Sequence, residues 1–241
     1  MISLSSFDGR PLFLIPGLLL LQACGGSNSS GPPQPVMASF DITVANLTNA
    51  QPLSPVAVIA HQDGYRLFSV GSAASLGLEE LAEGGDNTAL LAEAGAKPLV
   101  IATATGAAPI GPAGSEAVSL EVPETELPGL RMSVGSMLVN TNDGFSAVNA
   151  AEVGDLAVGE VISIYAIAYD AGTEADTELA AEIPGPAGGG EGFNPARDDL
   201  ADRVAMHAGV VSQDDGFATS DLTGQTRFDN PVVRVLIERV N

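Results

Sequence analysis

The chain has 241 residues, with 9 Lys and Arg against 30 Asp and Glu and a formal net charge of −21. Recognition of nucleic acid depends on clustered cations, so this charge balance argues against a nucleic-acid partner. Hydrophobic residues make up 45% of the chain, which is enough to form a core. The chain has one cysteine and two histidines, which are too few for a disulfide framework or a structural zinc site.

The first 24 residues are typical of an export signal. Their apolar run, residues 11–21, is too short for a transmembrane helix, which needs roughly 20 residues. The Leu-Gln-Ala-Cys sequence that ends at Cys24 is similar to the lipobox of bacterial lipoproteins, in which the chain is cut before the cysteine and lipid is attached to its sulfur. We therefore predict a lipoprotein signal peptide over residues 1–23 and a lipid anchor on Cys24. The alternative is a free thiol beside an ordinary cleavable signal.

The next segment, residues 24–37, is rich in Gly, Ser and Pro and is predicted to be a flexible tether. Two or more acyl chains would hold the protein stably on a membrane, because each buried CH₂ group contributes roughly 0.8 kcal/mol. Gly25, rather than Asp, follows the cysteine. By resemblance to sorting in Gram-negative bacteria, this favours the cell envelope, as an outer-membrane lipoprotein or at the cell surface.

Eight runs typical of β-strands occur in residues 38–241. They are rich in β-branched residues or alternate with a period of two, and Pro, Gly and Asx turns separate them. The runs are residues 40–47, 56–60, 99–103, 117–122, 130–139, 161–168, 204–211 and 232–240.

Helical patterns occur in one place, residues 73–83 and 87–94, where Ala and Glu alternate with leucines and Asp86 is placed to cap the second helix. One helical pair among eight strands is too few for repeated βαβ units. We therefore predict an all-β fold, an antiparallel β-sandwich of about eight strands with a short helical insert.

Three similar turns, at Asp63, Asp143 and Asp215, place Gly and then an aromatic residue after the aspartate. Each is explained by Asp-Gly turn chemistry at the end of a strand, with the aromatic side chain returning to the core. None of the three satisfies the pattern of an EF-hand calcium loop.

An acidic loop follows the predicted strand 161–168 directly. It contains no cation, and its acidic residues are Asp170, Glu174, Asp176 and Glu178. Carboxylates this close repel one another unless they are solvated or neutralised, and several of them converging from one loop suit a hard divalent cation. The alternative is a solvated acidic loop on a strongly acidic chain.

The order of these motifs resembles the spondin amino-terminal domain, which occurs in animal matrix proteins and in bacterial secreted proteins. The resemblance covers roughly residues 39–240, and the segment 78–86 is similar to the bacterial branch in particular. It rests on the segments 40–48, 53–61, 67–71 and 78–86 and on the loop that begins at Asp170.

The resemblance implies a C2-like antiparallel β-sandwich with a calcium ion held between loops at one end. Asp143 matches the aspartate before the aromatic residue, Asp170 the aspartate after the strand, and Glu174 the acidic residue four positions later. Gly144 stands where animal members have Trp, and Glu174 stands where they have Asp. Asp176 can therefore replace Glu174 or add to the site, because calcium accepts six to eight oxygens in flexible geometry.

These observations predict a non-catalytic, calcium-binding module for adhesion or interaction with an unidentified protein, glycan or matrix material. The alternative is an exported carboxylate-dependent hydrolase such as a glycosidase, which normally has sugar-stacking aromatic residues; the chain has no Trp and 5% aromatic residues. A structural envelope protein is a third alternative. His61 and His207 are predicted to be packed side chains rather than bases, because a catalytic base needs an oriented partner.

Overall fold

The computed structural model describes residues 34–241, and its regular structure consists mainly of β-strands. These are β1 (Met37–Asn46), β2 (Ala57–His61), β3 (Val100–Thr105), β4 (Ser115–Pro123), β5 (Arg131–Met137), β6 (Gly144–Glu152), β7 (Val161–Ala166), β8 (Ala168–Asp170), β9 (Ala205–Met206) and β10 (Val233–Arg239). The insert between β2 and β3 contains the helices α1 (Leu76–Gly84) and α2 (Thr88–Gly95). Single turns of 3₁₀ helix cover Glu124–Glu126 and Gln213–Asp215.

The strands form two antiparallel sheets. The smaller sheet has four strands in the order β4-β1-β10-β7, and the larger sheet has six in the order β3-β2-β5-β6-β8-β9. The predicted all-β sandwich is therefore confirmed, and the two helices lie in the chain where the helical insert was predicted.

The main core lies between the two sheets. In strand β1 the residues alternate between partly exposed and buried along the whole strand, so one face of the strand points into this core. Phe40 and Ile42 of β1 are fully buried against apolar residues of the larger sheet such as Val58 and Met132. Complete burial of a side chain of this size stabilises the fold by roughly 1.5–3 kcal/mol.

A second core lies between the helices and the larger sheet. Leu78 and Leu81 of α1 pack in one cluster with Ile59 and Phe145 of the sheet. The side chain of Ser75 caps α1 by accepting a hydrogen bond from the backbone N–H of Leu78 at 3.2 Å. The helix pair thus covers the outer face of the larger sheet near Phe145, the residue that follows Asp143 and Gly144.

Three details of the predicted strands were wrong. Of the run 204–211 only Ala205–Met206 forms a strand, because its partner β8 is three residues long. Strand β6 was not predicted, since its Ala-rich sequence lacks a clear alternation of β-branched and polar residues. The run 161–168 is not one strand but two, β7 in the smaller sheet and β8 in the larger sheet.

Two sequence predictions concern residues that the structure does not describe. The signal peptide, residues 1–23, and the lipid anchor on Cys24 both precede residue 34. Among residues 34–241, none of the helices has the length and apolar character needed to cross a membrane.

Candidate metal centre

The change of sheet between β7 and β8 brings Asp170 next to Asp143. Strand β8 pairs with β6 in a register that places Asp170 opposite Gly144, the residue directly after Asp143. The backbone N–H of Ala171 then donates to the carbonyl oxygen of Asp143 at 3.2 Å. The two aspartates therefore lie at the same end of adjacent antiparallel strands.

Asp143 is fully buried, and its two carboxylate oxygens have different surroundings. Its Oδ2 accepts three hydrogen bonds, from the backbone N–H of Thr173 at 2.7 Å, the hydroxyl of Thr173 at 3.2 Å and the backbone N–H of Glu174 at 3.1 Å. Its Oδ1 has no hydrogen-bond partner anywhere in residues 34–241. A buried oxygen without a hydrogen bond lowers the stability of the fold by roughly 1–3 kcal/mol. A ligand from outside the chain that binds Oδ1 would remove this cost.

Asp143, Asp170 and Asp176 form a compact triad. Each offers one carboxylate oxygen, and these three oxygens lie within 4.8 Å of one another. Asp170 is held in a turn, because its Oδ1 accepts from the backbone N–H of Gly172 at 2.6 Å and Gly172 has a φ of +71°. Asp143 is buried, Asp170 is half-buried and Asp176 is exposed, so the triad runs from the interior to the surface and could hold a metal ion.

The electrostatics of the triad favour the uptake of positive charge. Burial raises the pKa of Asp143, against the hydrogen bonds from Thr173 and Glu174 that lower it. Burial and the charge of Asp143 raise the pKa of Asp170 to about 7. The pKa of Asp176 is raised to about 8 by loss of solvation and by the charges of Asp170 and Asp143, although the residue is exposed and water screens part of this effect.

Glu174 is placed differently from the three aspartates. Its backbone N–H supports Asp143, but its carboxylate does not belong to the compact triad. The residue is buried, and burial followed by the charge of Glu83 raises its pKa to about 8. Its Oε2 has no hydrogen-bond partner in the described part of the chain.

No protein-family model and no curated protein matches this chain. The functional proposal below therefore rests on the residues of this chain.

Two further acidic residues affect the site electrostatically. The charge of Asp199 raises the pKa of all three triad aspartates. The charge of Glu83 raises the pKa of Glu174. Sequence reasoning missed both, because Asp199 lies far along an irregular loop and Glu83 has the helical pattern of α1.

The other two Asp-Gly turns show what distinguishes Asp143. Asp63 and Asp215 are exposed and form ion pairs with arginines, Asp63 with Arg131 at 3.2 Å and Asp215 with Arg227 at 2.7 Å. Asp143 has no such pair among residues 34–241 and is covered by the loop that contains Thr173. The same local sequence thus gives two solvated turns and one buried carboxylate.

Both histidines are packed in the interior. The ring of His61 contacts the Ser133 hydroxyl at 2.9 Å and the Gln62 carbonyl oxygen at 2.8 Å. In His207, Nδ1 accepts from the backbone N–H of Gly209 at 2.9 Å, and burial lowers the pKa to about 4. Both residues are less than a tenth exposed, as expected for packed side chains.

We expect the cation-free protein to lose stability as the pH rises from about 5 to about 8. In the folded state the pKa of Asp170 is about 7 and that of Glu174 about 8, both above their ordinary values, so the folded state binds more protons than the unfolded state in this window. The stability that these groups contribute is fully present at pH values below their pKa in the unfolded state. It is lost as the pH rises through their pKa in the folded state. Thermal unfolding in a chelator at pH 5, 6.5 and 8 measures this loss.

The Asp170→Asn variant is the control for this pH dependence. It removes one titrating carboxyl, so its Tm should fall less between pH 5 and pH 8 than that of the native protein. An equal slope in both proteins would assign the pH dependence to the high net charge of the chain instead.

Proposed function

We propose that this chain is an exported, lipid-anchored β-sandwich module that binds Ca²⁺ and mediates contact at the cell surface with a protein, a glycan or matrix material, without catalysis. The observation that carries the proposal is the triad of Asp143, Asp170 and Asp176, with one oxygen of Asp143 buried and unpartnered within the described residues. The sequence resemblance to the spondin amino-terminal domain family, in its bacterial lipoprotein branch, supports the same function.

Ca²⁺ is the ion that the ligand chemistry favours. The triad offers carboxylate oxygens, and no cysteine or histidine belongs to the group that the structure brings together. Ca²⁺ takes six to eight oxygen ligands at roughly 2.3–2.6 Å in flexible geometry, which suits a site built from a strand end and an irregular loop. Because Asp176 is exposed, water or a group from a partner can complete the coordination.

A partner that contributes an oxygen to this ion would make adhesion depend on calcium. Capture from intact cells with the purified protein tests this, in the presence of Ca²⁺ and of a chelator. We expect specific proteins or glycans to be retained with Ca²⁺ and lost with the chelator, and lost with Asp143→Asn under both conditions. Identical retention by the native protein and Asp143→Asn would contradict a role for the ion in binding.

The proposed localisation, anchored to a membrane by lipid, rests on Cys24 and the residues around it. We expect the mature chain to begin at Cys24 with a diacylglycerol on its sulfur, because the Leu-Gln-Ala-Cys sequence is followed by a Gly/Ser/Pro tether. Mass spectrometry of the membrane fraction measures the modification, and Cys24→Ala should release or mislocalise the protein. An unmodified, soluble mature chain that starts at another residue would contradict the lipid anchor.

The alternative function, an exported carboxylate-dependent hydrolase such as a glycosidase, is less well supported. Glycosidases place two carboxyl groups on either side of a sugar, roughly 5–5.5 or 6.5–9.5 Å apart. Here Asp143 is fully buried, where it cannot flank a bound sugar. We expect no hydrolysis of glycoside, ester or peptide panels; turnover that Asp143→Asn abolishes would reverse this ranking.

A further inference from the structure

One side of the sandwich is open between strand β7 and the far part of strand β6. Strand β7 is the last strand of the smaller sheet, and among residues 34–241 it pairs with β10 alone. Strand β6 extends to Glu152, but its pairing with β8 ends at Ser146. Neither edge is therefore covered by another strand of the described chain, and a groove of about 440 Å³ lies between them.

The groove is mostly apolar and has no charged residue in its lining. It is lined by residues such as Val148 of β6 and Ile164 and Tyr165 of β7. Tyr165 and Val161 are 60% and 48% exposed, and Ile164 is only partly buried against the main core. Edge strands of natural proteins are normally protected by charged residues, Pro or bulges, but residues 161–169 contain no charge and no Pro. An unprotected edge of this kind favours pairing with another strand.

The backbone of β7 directs unpaired hydrogen-bonding groups to the open side. The carbonyl oxygen of Glu160 accepts from the backbone N–H of Arg239 in β10 at 3.2 Å, and the pairing of β7 with β10 continues from there without a bulge. Because successive residues of a strand direct their backbone groups to opposite sides, the even-numbered residues of β7 bond to β10. The N–H and C=O groups of Val161, Ser163 and Tyr165 therefore point away from β10, where the main chain of an added strand could bond to them.

Both ends of the groove are acidic. At one end, Glu152, Asp155 and Glu160 are exposed. The nearest cation there, Arg131, is already paired with Glu152 at 2.8 Å. At the other end, Asp170 of the triad ends β8. The net charge of −21 makes two copies of this chain repel each other and attracts a basic partner.

We propose that the open edge of β7 binds an extended segment of a basic partner protein, which joins the smaller sheet as a fifth strand. Main-chain hydrogen bonds to Val161, Ser163 and Tyr165 would supply affinity, and apolar side chains at alternate positions of the segment would fill the groove. Basic residues at its two ends would contact the acidic ends of the groove. The inference rests on the proposed contact function, for which it names the partner as a protein, and it does not depend on the metal ion.

Binding of a synthetic peptide to the full mature protein tests this inference. The peptide has about ten residues, the upper range of strand length, with alternating valine and threonine in its centre and two lysines at each end. We expect saturable binding in a calorimetric titration, and weaker binding as salt is added, because salt screens exposed charges. Hydrogen exchange followed by NMR should show that the amides of Val161, Ser163 and Tyr165 become protected in the complex.

Ser163→Pro removes one of the free N–H groups and leaves the hydrogen bonds to β10 intact, since Pro is tolerated on an edge strand where its nitrogen faces solvent. It should bind the peptide about tenfold more weakly, as expected for the loss of one hydrogen bond that leaves a carbonyl oxygen unpaired. Ser163→Ala is the matched control, because it keeps the N–H group, and it should bind with native affinity. A peptide methylated on the backbone nitrogens that face β7 should also bind the native protein about tenfold more weakly, although its charge is unchanged.

Three results would overturn the inference. The first is no saturable binding of the peptide to the native protein. The second is equal affinity for the methylated and unmethylated peptides, which would assign the binding to charge alone. The third is protection of the same amides without peptide, increasing with protein concentration, which would assign the edge to a second copy of this chain.

Capture from intact cells separates this inference from the proposed function. No retained protein or glycan would contradict the proposed function. Retention of a protein that Ser163→Pro leaves unchanged would contradict only the inference about the edge of β7.

Discussion

Calcium at millimolar concentration should raise the Tm of the purified protein by about 5–10 °C. Binding to the folded state alone stabilises it by RT ln(1 + [L]/Kd), which is about 2.7 kcal/mol at a concentration of 100 Kd. Each kcal/mol changes the Tm of a domain of this size by roughly 2–4 °C. The predicted increase is large because the ion would neutralise carboxylates that the fold holds close together in a poorly solvated site. Differential scanning calorimetry with Ca²⁺ and with a chelator measures it.

Two asparagine variants separate this site from general screening of the acidic surface. Asp170→Asn keeps the shape of a triad side chain and removes its charge, so it should abolish most of the increase in Tm. Asp63→Asn changes a similar Asp-Gly turn whose aspartate is exposed and paired with arginine, so the increase should remain. An equal loss in both variants would show that calcium acts on the surface charge rather than on the triad.

Removal of the Arg197 side-chain charge should destabilise the fold by about 3 kcal/mol, or about 6–12 °C in Tm. Glu79 of α1 is 3% exposed, and its Oε2 accepts from Nε of Arg197 at 3.0 Å. Arg197 also donates to the Ala74 carbonyl oxygen at 3.0 Å and pairs with Asp202 at 2.8 Å. Arg197→Met keeps the apolar stem but leaves Glu79 buried without its cation, which is the costly outcome. Chemical denaturation measures the free energy of unfolding.

Arg227→Met is the control for this prediction. Within residues 34–241 Arg227 forms a single ion pair, with Asp215, and its side chain is 57% exposed. Exposed pairs contribute roughly 0–1 kcal/mol, so this variant should unfold with nearly native stability. Similar losses of unfolding free energy in the two variants would contradict the prediction that the buried carboxylate of Glu79 needs Arg197 as its cation.

The sheets and the helical insert could be predicted because their signals are local. In β1 the alternation of apolar and polar residues sets which face is buried, and Phe40 and Ile42 are indeed in the core. The Ala- and Glu-rich segments between β2 and β3 form helices. Asp86 was predicted to cap α2, but the N-cap residue is Asn87; Asp86 lies one residue earlier and accepts from the backbone N–H of Thr88 at 2.8 Å.

The division of the run 161–168 into two strands could not be predicted. The run is continuously apolar on alternate positions, and nothing in it marks the point at which the chain leaves one sheet for the other. That point depends on distant partners: β7 pairs with β10, β8 pairs with β6, and the backbone N–H of Ala168 donates to the side chain of Asn230 at 2.8 Å. This change of sheet is nevertheless what brings Asp170 to Asp143.

The acidic residues of the site were found from composition and motif, but their arrangement was not. Asp143 has the same Asp-Gly-aromatic pattern as the exposed Asp63, but it lies in the interior, where its carboxylate accepts hydrogen bonds from Thr173 and Glu174, 30 and 31 residues later in the chain. In the irregular loop after β8, spacing does not fix the direction of a side chain. Glu174 and Asp176 are two residues apart, yet only Asp176 joins the triad.

The most direct test of the metal centre is a crystal structure with Ca²⁺ and its anomalous scattering. We predict an anomalous peak within roughly 2.3–2.6 Å of Asp143 Oδ1 and of one oxygen each from Asp170 and Asp176. A structure at saturating Ca²⁺ with no ion at these three carboxylates, or with Asp143 Oδ1 bonded to a protein group instead, would contradict it.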